Sequence, residues 1–298
     1  LNADEVLAAA ESLYSDELRP YSRILKKRIC ERAGVSGQSV DNKSLRSICE
    51  SREDLFRVQE EDGDWSVLLA GREEAFVDIY SPEDPYPAEF WRAAAGYFER
   101  LSDTSMQLPG GRYTCARFLM TQSLPFLRGL SLGQVCHVVQ LSISHRKLLG
   151  YLSTGVVPYA RSQSMRKDQC AERQRPCASA ARARNPVTDW EQVRMLVRAV
   201  LDGGAPRSGP VPLSNVKRLL RSRFQVVLSE TALGHTKLSD LLRDPRLSDV
   251  CAVEVHAGGY VLVPPPAPEG RAPAGIGSSD PPPLPGTTAR QASGRGGA

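Results

Sequence analysis

Across 298 residues the chain carries 38 Lys and Arg against 34 Asp and Glu, a formal charge of +4, and 41% of it is hydrophobic. That apolar share supports two or three small packed cores, but the most apolar stretch, 129–144, contains Gln134, His137 and Gln140 and cannot serve as a membrane span. The seven cysteines form no close pairs, a pattern of reduced thiols in the cytosol or nucleus and not of a secreted disulfide framework.

The charge is unevenly spread: 19–32 is basic, 50–89 acidic and 161–223 basic again. A local excess of one sign sets the attraction for a charged partner more than the net value does. The opening LNADEVLAAAESLYSDELRP lacks the basic start of a secretion signal. It reads as an amphipathic helix over 2–18, with Asn2 and Glu5 at capping-box spacing and Val6, Leu7, Ala10, Leu13 and Tyr14 along one side. After Pro20 a second helix runs through Ile24, Leu25, Arg28 and Ile29, closes at Gly34, and turns Arg23, Lys26, Lys27 and Arg32 to water. Asp41 caps a third helix carrying Leu45, Ile48 and Cys49. Strand-like runs at 55–58 and 65–69 flank the acidic turn 60–64, whose carboxylates are expected to be solvated. Residues 1–72 are thus expected to be helices followed by a hairpin.

Residues 73–160 read as a helical linking domain with no assignable role. A helix is expected over 88–101, with Phe90, Trp91, Ala94, Tyr97 and Phe98 on its apolar side. Pro109-Gly110-Gly111 breaks the chain, and further helices are expected over 113–127 and 132–152, before an extended 156–159. Residues 161–186 hold Arg161, Arg166, Lys167, Arg173, Arg175, Arg182 and Arg184 without periodic apolar residues, and read as a flexible basic linker. Such a segment is either a solvated tether or a non-specific phosphate clamp.

The clearest module lies at 187–264. Thr188 and Glu191 are spaced as a capping box before Trp190, Val193, Leu196, Val197, Val200 and Leu201. Ser214 is placed to cap a helix with Val216, Leu219 and Leu220 on one face and Lys217, Arg218, Arg221 and Arg223 on the other. A further helix carries Leu238, Leu241 and Leu242 and ends at Asp244-Pro245. Val253, Val255, Tyr260, Leu262 and Val263, around His256-Ala257-Gly258-Gly259, form a hairpin. The order is that of a winged helix-turn-helix. Leu25 to Ile29 aligns with Val216 to Leu220, and 56–69 with 252–263, which reads as a divergent internal repeat. The expected fold is mainly α with small β-hairpins (α+β): tandem winged helix-turn-helix-like modules joined by a helical region and the basic linker. The proline- and glycine-rich 265–298 is expected to be disordered.

The run Ala232-Leu233-Gly234-His235-Thr236-Lys237-Leu238-Ser239-Asp240-Leu241-Leu242 resembles the core of LOTUS domains, also called OST-type helix-turn-helix domains. The lead-in Val211-Pro212-Leu213-Ser214 and the closing Gly-Tyr-Val-Leu-Val strand are similar to that family too. The resemblance implies an RNA-binding or ribonucleoprotein-assembly module without catalysis of its own, in the cytoplasm, in ribonucleoprotein granules, with the nucleus left open. Extended LOTUS domains, with an added C-terminal helix, resemble docking modules for a DEAD-box helicase. Minimal ones resemble RNA binders that prefer G-rich or quadruplex RNA. Here Val263 is followed by Pro264-Pro265-Pro266, which cannot continue a helix, so the minimal type is expected.

Phosphate contacts are expected from Lys217, Arg218, Arg221 and Arg223, flanked by His235, Lys237 and Arg243, with Lys26 and Lys27 at the matching place in the first unit. Two other readings stay open: a protein-docking module for a helicase, and a DNA-binding regulator, which Asp240 and Asp244 disfavour by repelling phosphates. No cofactor or metal is expected. Cys170 and Cys177 have six residues between them and lack the short paired spacing of a structural zinc site. Cys136 with His145 lies on a helical pattern whose simplest reading is burial, and no phosphate-binding loop occurs, so no enzyme is expected.

Overall fold

The capping box at the start of the chain forms as its spacing predicts. Asn2 accepts the Glu5 N–H at 2.8 Å, and the Glu5 carboxylate accepts the Asn2 N–H at 2.9 Å. The computed structural model describes residues 1–34, 40–61, 63–101, 107–177, 186–187, 189–202, 209–256 and 259–265. The expected tail therefore lies outside the described residues, as do Thr188, Ala257 and Gly258. The chain is a mixed helix-and-sheet protein of many helices and small sheets, mostly antiparallel.

Helix α1 (Ala3–Ser15) buries Val6, Ala9, Ala10 and Leu13. Helix α2 (Ser22–Ala33) ends at Gly34, whose φ of 65° is the left-handed conformation glycine adopts without strain. Asp41 caps α3 (Asn42–Glu50) by accepting the Ser44 N–H. Strands β1 (Phe56–Glu61) and β2 (Asp64–Leu69) pair antiparallel, and Tyr21, just before α2, bridges to Ser66. Asp64 is not the solvated turn acid its neighbourhood suggests. It accepts the Ser22 hydroxyl at 2.6 Å and Arg23 Nε at 3.0 Å, and so ties the hairpin to the start of α2.

One apolar core runs from Val6 to Val156, so residues 1–72 and 73–160 share it. It takes in α4 (Ala88–Arg100), α5 (Arg112–Thr121) and α6 (Leu132–Ser144), with Phe90, Trp91, Ala94 and Phe98 inward on α4 as expected. Gly133 is required at the α1–α6 contact. Its N–H donates to the Asp16 carbonyl at 2.8 Å, and a Cβ there would lie 2.7 Å from the Glu17 carbonyl oxygen.

Two of the expected helices are shorter than the pattern suggests. Helix α5 stops at Thr121; Ser123 takes φ 51°, and Pro125–Leu127 forms a separate 3₁₀ turn. Helix α6 stops at Ser144, and Lys147 takes φ 51° before strand β3 (Leu149–Leu152). β3 takes the place of the end of the expected helix, and it pairs with β4 (Gly155–Pro158), which falls at the expected extended segment. Apolar runs of this length fit either a buried strand or a buried helix, so periodicity alone cannot separate them.

The stretch read as a flexible linker contains a helix, α7 (Gln163–Glu172). Ser162, fully buried, caps it by accepting the Met165 N–H at 3.1 Å. Gly150 of β3 makes room for that cap, because a Cβ at Gly150 would lie 2.5 Å from the Ser162 Cβ. At the other end Gln174 takes φ 50° and its N–H reaches the Ala171 carbonyl, while the Arg175 N–H reaches the Cys170 carbonyl. This is a Schellman ending with glutamine in the place glycine usually holds.

A second core gathers Val193, Leu196, Val197, Val216, Leu220, Leu241, Leu242 and Leu262. Its elements are α8 (Trp190–Asp202), β6 (Val211–Pro212), α9 (Leu213–Phe224), β7 (Val227–Leu228), α10 (Leu238–Leu242), β8 (Ala252–His256) and β9 (Gly259–Val263). β6, β9 and β8 form a three-stranded antiparallel sheet, and β7 pairs in parallel with β5 (Pro186–Val187). Asp189 caps α8, accepting the N–H groups of Glu191 and Gln192. Pro212, not Ser214, precedes α9, and no side chain caps it. The order of helix, backbone pairing to the hairpin, second helix, third helix and hairpin is the same here as in α1 to β2.

Arg28 is the charge buried inside the first core, at 8% exposure. Its Nε donates to the Tyr113 hydroxyl at 3.0 Å, and its terminal nitrogens meet Ser12 and Asp16. Tyr113 in turn donates to Glu31 at 2.7 Å, and Arg117 pairs with Glu31. Burial disfavours the charged guanidinium, but its bonds to Tyr113 and Asp16 outweigh that and raise its pKa. Replacing Arg28 by Met removes the charge and leaves Asp16 and the Tyr113 hydroxyl without their donor. The expected loss is about 3 kcal/mol, measured as a shift of the urea midpoint, and Tyr113→Phe should lose about half as much.

Candidate nucleic-acid interface

The basic helix expected in the second module is α9, and its buried stripe is Val216 and Leu220. Lys217, Arg218, Arg221 and Arg223 are all exposed on the other side. They are not equivalent. Lys217 is ion-paired with Glu230. Arg218 makes one hydrogen bond, to the Asn215 side-chain oxygen at 3.2 Å, and neither it nor Arg221 has an ion pair with a described residue. Arg194 and Arg198 on α8 contrast with them, since both are bound to Asp249.

His235 is placed by the fold rather than offered to a ligand. Its Nε2 lies 3.0 Å from Asp244 Oδ2, and its ring meets the Trp190 ring edge-on. Burial of Asp244 opposes its ionisation, but the Arg246 N–H and the His235 bond outweigh it and hold its carboxyl below the usual carboxylate range. A carboxylate with a lowered pKa contributes stability that is complete above its unfolded value and is lost as pH falls through its folded one. Asp244 is thus a cap and clamp for the 3₁₀ turn Pro245–Leu247, which explains an acid on this face without reference to phosphate.

Lys237 is exposed at the start of α10, and Arg243 is exposed just after it. The Arg243 guanidinium lies 4.9 Å from the centre of the Tyr260 ring, on strand β9. Tyr260 is 48% exposed and its cross-strand partner Val255 71%, so the hairpin presents an aromatic face with a cation on it. In the sequence Tyr260 stands out only as a strand residue. Its exposure reflects its place at the turn end of the hairpin and not alternation, since the adjacent Val261 and Leu262 are both buried further along the strand.

Lys26 and Lys27 lie elsewhere, on α2. Lys27 sits 5.9 Å from the ring of Tyr113, and Lys26 is half-buried near Asp41. Their helix belongs to the first core, whereas α9 and α10 belong to the second.

The other chemistry weighed from the sequence is also placed. Burial pushes the Cys136 thiol up to about 12, the reverse of what a nucleophile needs, and His145 Nδ1 is occupied by the Ser144 hydroxyl. The Cys170 thiol lies against Cys177, and that hydrogen bond, with burial, raises its pKa. Among the described residues no group of three His, Cys, Asp or Glu is placed to hold a metal ion. No helix among them is long and apolar enough to cross a membrane.

The stretch with no role assignable from its sequence is the one a comparison recognises. Residues 102–174 match the family model of the OST-HTH Associated domain. The match is consistent with a protein related to the LOTUS, or OST-HTH, class, and it lies beside the stretch whose residues resemble that class. No curated protein and no solved structure matches the chain. The matched residues take in α5, α6, the β3–β4 hairpin and α7, so the match extends into the stretch read as a basic linker.

His235→Ala should lower stability by about 1–2 kcal/mol through loss of the bond to Asp244. It should leave the salt dependence of any RNA binding unchanged, as measured by fluorescence anisotropy at several salt concentrations. A fall in salt dependence would place His235 on the phosphate-contacting surface instead.

Proposed function

We propose that this chain is a non-catalytic RNA-binding adaptor in which the 187–264 module is a winged helix-turn-helix of the minimal LOTUS type. The observation that carries the reading is the state of its exposed cations. Arg218, Arg221 and Lys237 have no ion pair with a described residue, and Arg243 rests on an exposed tyrosine ring. Cations without internal partners can neutralise phosphates and release counterions without first breaking a bond. An exposed aromatic beside them suits an unstacked base, which RNA offers in loops and single strands. The neighbouring OST-HTH Associated domain supports a LOTUS-type adaptor.

The common element order of α1–β2 and α8–β9 supports a divergent repeat. G-rich or quadruplex RNA is the preferred target under this reading, because the resemblance to minimal LOTUS domains implies it. Reduced, mostly buried thiols suit a cytoplasmic ribonucleoprotein assembly. Docking to a DEAD-box helicase is the second reading. Against it, β9 ends at Val263 and the chain passes directly into Pro264 and Pro265.

The test is anisotropy of labelled G-rich RNA with the full chain. Arg218→Glu with Arg221→Glu should weaken binding at least ten-fold and flatten its salt dependence by about 0.7 for each phosphate no longer neutralised. Tyr260→Ala should cost about 1–3 kcal/mol, the usual worth of one stacked base. Affinity indifferent to the double charge reversal would rule out this surface.

A further inference from the structure

Helix α7 is the joint between the OST-HTH Associated domain and the second core. On one side it packs on β3, and on the other on the 3₁₀ turn Thr231–Leu233. Asp168 fixes the first of these by accepting Lys147 Nζ at 2.7 Å and the Tyr159 hydroxyl. Beyond Glu172 the chain folds back along the helix, so that the Cys177 thiol reaches the Arg166 carbonyl at 3.9 Å. The same Cys177 donates its N–H to the Thr231 hydroxyl at 3.1 Å. One residue therefore touches both α7 and the 231–233 turn.

That turn is also where the basic face of α9 arrives. Glu230, directly before Thr231, holds Lys217. Lys237 lies close enough on the far side for its charge to act on Asp168. The path thus runs from α7 through Cys177, Thr231 and Glu230 to Lys217, with Lys237 alongside. On α7 and its return, Arg166, Lys167, Arg173 and Arg175 are exposed and have no ion pair with a described residue, against Glu172 alone among exposed acids. Four exposed cations to one exposed anion thus lie on α7 and its return, next to the turn that also holds Lys217 of α9 through Glu230.

We propose that the RNA-binding surface is composite: Arg166, Lys167 and Arg175 of the OST-HTH Associated domain hold the phosphate backbone of the same single-stranded RNA that α9 and α10 bind. This inference rests on the RNA reading above and adds a role for α7 to it. Arg and Lys side chains without internal partners are the usual donors to phosphate oxygens, which position a strand without reading its sequence. It follows that 187–264 alone holds only part of the site, and that the tail of the OST-HTH Associated domain sets much of the affinity.

The experiment uses the full chain, labelled single-stranded RNA of G-rich and U-rich sequence, and anisotropy across a salt series. Arg166→Gln, Lys167→Gln and Arg175→Gln together should reduce the slope of log affinity against log salt by about 2, at about 0.7 per phosphate, and weaken binding at least ten-fold near 0.15 M salt, on both RNAs alike. Arg72→Gln with Arg128→Gln removes exposed cations from the first core and should change neither. If the α7 triple variant behaves like this control while Arg218→Glu with Arg221→Glu loses binding, the composite surface is wrong and the RNA reading stands. If the unaltered chain binds neither RNA, both fall together. If polyglutamate competes as well as unlabelled RNA at equal charge, the joint is a generic acidic-partner site and the RNA assignment is overturned.

Discussion

A buried guanidinium sets the terms for the first half of the chain. Arg28 has left water, and removing a full charge from water is tolerable only where its donors are met at once. Its partners come from α1 and α5, with Glu31 of its own helix drawn in through Tyr113. Sliding α2 by one turn along α5 would strand the charge, so the network fixes a register that an apolar contact would leave looser. The position aligned with Arg28 in α9 is Leu219, half-buried and uncharged. Two helices of like pattern thereby reach opposite ends. α2 is tied to α5 through Arg28 and brings Lys27 to the Tyr113 ring, whereas α9 presents Arg218 and Arg221 without such a tie.

The second joint is built differently. α7 meets β3 through a glycine that admits a buried serine cap, and meets the 231–233 turn through a backbone donor to a buried threonine. These contacts are small, short and polar. They bring α7 to the second core while leaving most of its charged side chains exposed. Residues 1–265 form one compact unit, although they contain two separate apolar cores. A helix that bridges two cores with few apolar residues of its own can carry charge that a core helix could not.

Much of the secondary structure was legible because the relevant signals are local. Asn2 with Glu5, Gly34, Asp41 and the strand-type residues around Tyr260 each act within a few residues, and each element formed as read. What failed depended on partners distant in sequence. α7 has no apolar stripe, and its start rests on Ser162 fitting against Gly150, twelve positions away and on another element. Strand β3 could not be told from the end of α6 because it is short and follows an apolar helix directly, whereas β4 falls where the extended segment was read. The candidate site divided in the same way. Exposure of Arg218 and Arg221 follows from helical spacing, but the capture of Lys217 by Glu230 and of His235 by Asp244 is visible only once the chain has folded.

That division bears on how an arginine-rich surface should be read. Of the arginines in the second core, Arg194 and Arg198 hold Asp249 and close α8 onto the turn before β8. A phosphate competing for them must first break a charge-assisted pair and leave Asp249 without its partners, so the net gain is small. Arg218 and Arg221 face no such penalty, and neither do Arg166, Lys167 and Arg175 on α7. Counting basic residues along the sequence weights all of these equally. Weighting them by the state of their partners moves the centre of the proposed surface away from α8 and onto the edge where α7, the Thr231–Leu233 turn and α9 converge.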